Sequence, residues 1–285
     1  MKSSNRVLWS GIILFFLVII STIFLLSYLS HNADERSAFF KDHWYHSAKE
    51  TIKGSGNINS ISKSLPTFSK IDTIGDYTIT LRSGQSPQIT ITTDINLQKH
   101  LRSAVVNGEL QLTVDEHFKL RPTRTIDVVI TTPELQKIQL AGETHLNALN
   151  LNTPSLTVLL AGDSHATLKG EINECTLKLG GNADVDMTLT KNKTLQINSA
   201  GFTKIKLAGD TEHLTLNNGG DFSLQAENLT AKEVTINGLG QTKVRVHATD
   251  QITLNTAGET AVHYSGNPKI IKHSVGELTI SKDAE

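Results

Sequence analysis

LAGETHLNALNLNTPSLTVL, residues 140–159, is followed at once by LAGDSHATLKGEINECTLK, residues 160–178. Both segments open on the same tripeptide, then an acid, a hydroxyl and a histidine. A chain that restarts itself in this way declares a structural period, and internal repeats decide a fold before any single residue does. Cut at the same point, the rows begin at Leu140, Leu160, Leu179, Ser199, Asn218, Gly238, Thr256 and Ser274, and the seven complete rows hold 18 to 20 residues. Each has glycine third: Gly142, Gly162, Gly181, Gly201, Gly220, Gly240, Gly258 and Gly276. A third LAG, at Leu207, falls inside a row and is a partial echo.

The columns of this lattice read as environments. The seventh position holds Leu146, Ala166, Val185, Ile205, Leu224, Val244 and Val262, and the ninth is almost as apolar. The sixth and eighth are mostly polar, as in His145 and Asn147, Asp184 and Asp186, or Lys204 and Lys206. Period-two alternation is a strand with one face in and one out. A row is then about two short strands and two corners, too short to add a helical crossover. Rows with matching columns stack in register. The expected fold is all-β, a single-stranded right-handed parallel β-helix with 18–20-residue rungs about 4.8 Å apart. Glycine supplies one corner. Asn198, Asn217, Asn237 and Asn255 end four consecutive rows, and a column of stacked amides can hydrogen-bond along the axis.

The acid and hydroxyl of the motif are expected to bond nearby backbone amides at the corner. The alternative is a metal site built from Glu143, His145, Asp163 and His165, which neighbouring rungs would bring together. Later rows put Asn182, Phe202, Asp221, Gln241 and Glu259 in the acid's place, and that drift favours the corner. Asp184 and Asp186 are expected to face Lys204 and Lys206 one rung away. The competing use of Lys204, Lys206, Lys243 and Arg245 is a basic strip for an acidic glycan. Cys175 falls in an inward column and is expected to be buried and unreactive.

Outside the lattice, residues 7–29 carry no charge over 23 positions, enough to span roughly 30 Å of hydrocarbon. Lys2 and Arg6 precede this run and no acid occurs before Asp34. The expectation is one uncleaved transmembrane helix, with residues 1–6 a cytoplasmic tail, 30–50 a juxtamembrane linker and 51–285 outside the cytoplasm. Within the linker, Phe39, Phe40, Trp44 and Tyr45 suit a membrane–water interface, whereas His43 and His46 alone are thin grounds for a metal site. Net charge is −1, so no basic surplus points to nucleic acid. One cysteine in the whole chain forbids an internal disulfide.

Between residues 66 and 139 the period blurs but strands continue, in DYTITL, PQITITT, GELQLTV and TIDVVITTP. Asn107-Gly108 is a hairpin signal, and DINLQKHLRSAV holds the expected single helical turn of the domain. Gly54-Ser55-Gly56-Asn57, the pair Phe68 and Ile71, Asn107-Gly108, and Pro133 leading to Leu140-Ala141-Gly142 resemble the GIN-domain family, the head domain of "putative auto-transporter adhesins". The resemblance covers nearly all of the exported part. It implies a bacterial, exported β-helical domain with no established enzymatic activity. The sequence implies no catalytic residue, no cofactor and no metal ligand. The expected role is a membrane-anchored, envelope-facing binding or scaffold module, contacting an envelope protein or a glycan. The alternatives are a polysaccharide-acting enzyme on a β-helix and a self-assembling envelope scaffold. Rows almost free of insertions, and Trp44 as the sole tryptophan beyond the apolar run, count against the enzyme.

Overall fold

The computed structural model describes residues 49–283. The expected membrane helix, the cytoplasmic tail and the aromatic cluster with His43 and His46 lie outside those residues. Among the described residues no helix is long and apolar enough to cross a membrane.

Period-two sequence produces strand nearly everywhere. In chain order these are β1 (Glu50–Lys53), β2 (Ile58–Ser64), β3 (Lys70–Ile74), β4 (Tyr77–Ser83), β5 (Gln88–Asp94), β6 (Leu101–Val106), β7 (Glu109–Val114), β8 (Phe118–Arg121), β9 (Ile126–Thr132) and β10 (Lys137–Ala141). Then β11 (Thr144–Gly219), β12 (Asp221–Ser265) and β13 (Lys269–Lys282) follow as almost unbroken β backbone. The expected helical turn is the 3-10 turn Gln98–His100. Asn107 and Gly108, with φ of 51° and 73°, turn β6 into an antiparallel pairing with β7. Both positive angles are what a two-residue hairpin of this hand requires.

The long strands pair in parallel with a sequence offset of one row. Leu214 lies beside Val234 and Leu216 beside Ile236. Asn255 lies beside His273 and Gly258 beside Gly276. We call each such row a tier of one curled sheet. The blur between residues 66 and 139 has a topological cause. β3 and β4 lie directly under β10 and the start of β11, Lys137 beside Lys70 and Thr144 beside Tyr77. On their other side they meet β7 and β9, also in parallel. The chain thus lays down the β3–β4 tier first, builds the one beneath it from β7 and β9, and returns to resume above. Antiparallel β5 and β6 pair with β9 and β7, and β2 pairs with β5. Sequence order and stacking order differ here, so the period is lost to a linear reading.

The glycine column is required by two constraints at once. Gly162 has φ 105° and Gly258 φ 122°, a region nearly closed to other residues. A Cβ on Gly162 would also stand 2.6 Å from the carbonyl oxygen of Gly142 one tier below, and one on Gly142 the same distance from Gly75. Gly75 therefore heads the column, one tier before the first row read from sequence. The second corner carries the asparagine ladder. Asn217 donates to Asn198 (2.9 Å), Asn237 to Asn217 (2.8 Å) and Asn255 to Asn237 (2.9 Å).

Thin aliphatic layers fill the interior. Cys175, Leu195, Leu214 and Val234 are buried in one column, and burial pushes the Cys175 thiol up to about 12. At neutral pH it is a small core residue, not a nucleophile. On the outside, opposite charges face each other one tier apart. Lys191 meets Glu171 at 2.9 Å, Lys232 meets Glu212 at 3.3 Å, and Lys206 meets Asp186 at 3.9 Å. Asp184 and Lys204 do not close to ion-pair distance, so that half of the expected charge ladder fails. Such exposed pairs stabilise by about 0.2–1 kcal/mol each. They matter more for register, since a one-residue slip would turn every apolar side chain outward.

Candidate functional site

The glycine corner throws the fourth and sixth positions of each row outward on either side of the inward fifth. Stacking turns these positions into two columns. The fourth holds Glu143, Asp163, Asn182, Phe202, Asp221 and Gln241; the sixth holds His145, His165, Asp184, Lys204, Ser223 and Lys243. All twelve line one open groove of about 600 Å³, floored by Ser164, Ala183, Thr203 and Phe222.

The fifth position corrects the sequence reading of the motif. Its hydroxyls were expected to cap the local turn, but they face inward. Thr144, Ser164, Thr203, Thr242 and Thr260 are all buried, and Thr144 donates to Ser164 of the next tier at 3.2 Å. The acids also bond between tiers. Asp163 accepts from the Asn182 amide at 2.7 Å, and Asp76 accepts from the backbone N–H of Glu143 at 3.1 Å. The partial echo at Leu207 repeats this chemistry at another corner. There Gly209 has φ 107°, Asp210 accepts from the Lys191 backbone N–H, and buried Thr211 donates to buried Asn192 at 2.6 Å. In all three copies glycine lets two tiers touch and the hydroxyl that follows bonds to a neighbouring tier; the acid does so in the second and third, at Asp163 and Asp210.

The four residues of the metal reading are brought to one wall. The rings of His145 and His165 sit 6.0 Å apart, inclined at 44°. Among the described residues no group of three or more His, Cys, Asp or Glu side chains is placed to hold a metal ion. Of the basic strip, Lys204 and Lys243 line the groove, beside Glu143, Asp163, Asp184 and Asp221. Acids therefore outnumber lysines there, against an acidic ligand.

Phe202 is what the sequence reading missed. It stands in the acid column as an apparent lapse, yet it is 65% exposed in the groove, while Phe222 in the groove floor is 3% exposed. Each of the other exposed large hydrophobics among the described residues is aliphatic. The available signal was an aromatic in an outward column of a chain only 5% aromatic.

The family model described as "Putative auto-transporter adhesin, head GIN domain" matches residues 67–268. The chain belongs to the GIN-domain family. Solved structures carry the same fold. A "putative adhesin" from Parabacteroides merdae ATCC 43184 superposes with TM-score 0.72 at 20% identity, covering 82% of this chain and 100% of that one. A "putative lipid binding protein" from Parabacteroides distasonis ATCC 8503 gives 0.70 at 20% identity, with the same coverage. A "putative adhesin" from Bacteroides fragilis NCTC 9343 gives 0.61 at 22%, covering 81% of this chain and 100% of that one. No curated protein matches the chain. In this GIN domain the glycine corner is thus both the element that lets the tiers touch and the wall of the groove.

Proposed function

We propose that this GIN domain is a non-catalytic binding module of the bacterial envelope, a right-handed parallel β-helix held to the inner membrane by residues 7–29. The groove carries the binding reading. Six tiers each contribute to one wall, so donors and acceptors are spread along a line. Catalysis needs a nucleophile, a base and a charge stabiliser converging on one atom; recognition of an extended partner needs a ladder. The names of the solved structures with this fold, two "putative adhesins" and a "putative lipid binding protein", agree with binding. The β-helix reading is supported by the parallel register, Thr215 beside Thr235 and Thr256 beside Ser274, and by the glycine contacts between tiers. The outward topology is supported by Lys2 and Arg6 ahead of the apolar span.

Spheroplasts carrying the full chain test both parts. Added protease should remove the domain, and the untreated spheroplasts should retain solubilised envelope material. Substituting Asn182, Phe202 and Asp221 together by alanine should abolish retention while leaving the chain folded. A protease-protected domain contradicts the topology; undiminished retention by the triple variant contradicts the groove.

A further inference from the structure

We infer that the groove binds a neutral glycan, with one sugar ring seated on Phe202 and its hydroxyls held by Asn182 and Asp221 of the adjacent tiers. The inference rests on the binding reading above and gives it a ligand class.

Phe202, 65% exposed, contributes little to the stability of the fold. An outward ring at a strand position gains nothing from the core, and its apolar face is left in water. Single exposed apolar side chains are ordinary, but this one has a particular setting. Gly201 precedes it, with φ 121°, and sets the corner from which the ring projects into the groove. Phe202 lies beside Asp221 in the parallel register, and Lys204 beside Ser223. A flat apolar face flanked by hydrogen-bonding groups is what one face of a pyranose requires. The sugar's axial C–H groups pack on the ring, whose face carries partial negative charge, and its equatorial hydroxyls point sideways.

The flanking groups are suited to hydroxyls. A carboxylate is acceptor-only and can receive two vicinal O–H donors, while an amide offers both donor and acceptor. Asn182 is already fixed by donating to Asp163 at 2.7 Å, which leaves its carbonyl oxygen in place before a ligand arrives. Such preorganisation reduces the ordering cost of binding. Charge selects among glycans. Asp163, Asp184 and Asp221, which line the same groove, would repel uronic acids and sulfated sugars, with Lys204 the cation on the tier of Phe202. Tiers recur every ~4.8 Å, close to the advance of one sugar unit in an extended chain, so an oligosaccharide lying along the columns would meet one set of side chains per unit.

The test is binding of the detergent-solubilised full chain to immobilised neutral oligosaccharides of one to six hexose or N-acetylhexosamine units, and to their uronic-acid and sulfated counterparts. Neutral sugars should bind and charged ones should not. Phe202→Ala should weaken binding at least tenfold, Phe202→Tyr should retain it, and Asp221→Ala should weaken it comparably. Unchanged thermal melting of Phe202→Ala would show that the loss is local. Preference for charged sugars, or binding indifferent to Phe202, would overturn the inference. So would no binding to any sugar; in that case, continued capture of envelope protein by the parent chain would leave the binding reading standing.

Discussion

Gly181→Ala is expected to lower unfolding stability by about 3 kcal/mol or more, whereas Gly180→Ala, one residue away, should change it by less than about 1 kcal/mol. The two glycines differ in surroundings. Gly181 has φ 91°, and a Cβ there would lie 2.6 Å from the carbonyl oxygen of Gly162. The obstacle is backbone of the tier below, so relief means separating the two tiers locally. At Gly180 an added Cβ meets nothing within 4 Å. Urea unfolding of the two variants and the parent is sufficient. Equal midpoints for the two variants would mean that glycine is not what lets the tiers touch.

The second large effect lies at the other end of the domain. Asp94 is fully buried and ties three segments together. It accepts from the Gly56 backbone N–H at 2.7 Å and from Thr123 through both its backbone N–H (2.9 Å) and its hydroxyl (3.0 Å). Gly54 is packed so closely on this carboxylate that any side chain would displace it. Burial pushes the acid up, but the hydrogen bonds from Thr123 and Gly56 outweigh it and leave Asp94 below the ordinary carboxylate range. Asp94→Ala strands these donors and should cost about 3 kcal/mol. Asp94→Asn should recover only part, since one of its two acceptor atoms becomes a donor.

The pH dependence follows from the sign of the shift. The folded state holds its proton less tightly than the unfolded chain, whose Asp titrates near ~3.9. The stability contributed by the charge is therefore fully present above that value and is lost as pH falls through the lower folded pKa. The gap in melting temperature between the parent and Asp94→Ala should be widest near pH 7 and should narrow below pH ~4. A constant difference across that range would contradict the assignment.

Legibility in the sequence followed locality. Where one tier follows the next along the chain, column reading placed Cys175 inward and stacked Asn198, Asn217, Asn237 and Asn255. The hairpin at Asn107-Gly108 was equally plain, because it is closed by its own two residues. Gly75 was missed as head of the glycine column, because 66 residues separate it from its stacking partner Gly142. The hydroxyls of Thr144 and Ser164 were placed at a turn surface, since a sequence shows the residue beside them but not the tier above. Phe202 was legible as a break in a column, but an exposed ring gains meaning only once Asp221 and Asn182 are seen on either side of it.

The stacking register underlies every column and the groove itself, and oxidative cross-linking reads it directly. In a Cys175→Ser background, Lys204→Cys paired with Ser223→Cys places two thiols on adjacent tiers in the same column, within the Cα separation a disulfide tolerates. Lys204→Cys with Asp221→Cys is nearer in sequence but belongs to different columns. The register predicts rapid closure of the first pair under mild oxidation and little or none of the second. Equal closure of both, or preference for the second, would contradict it.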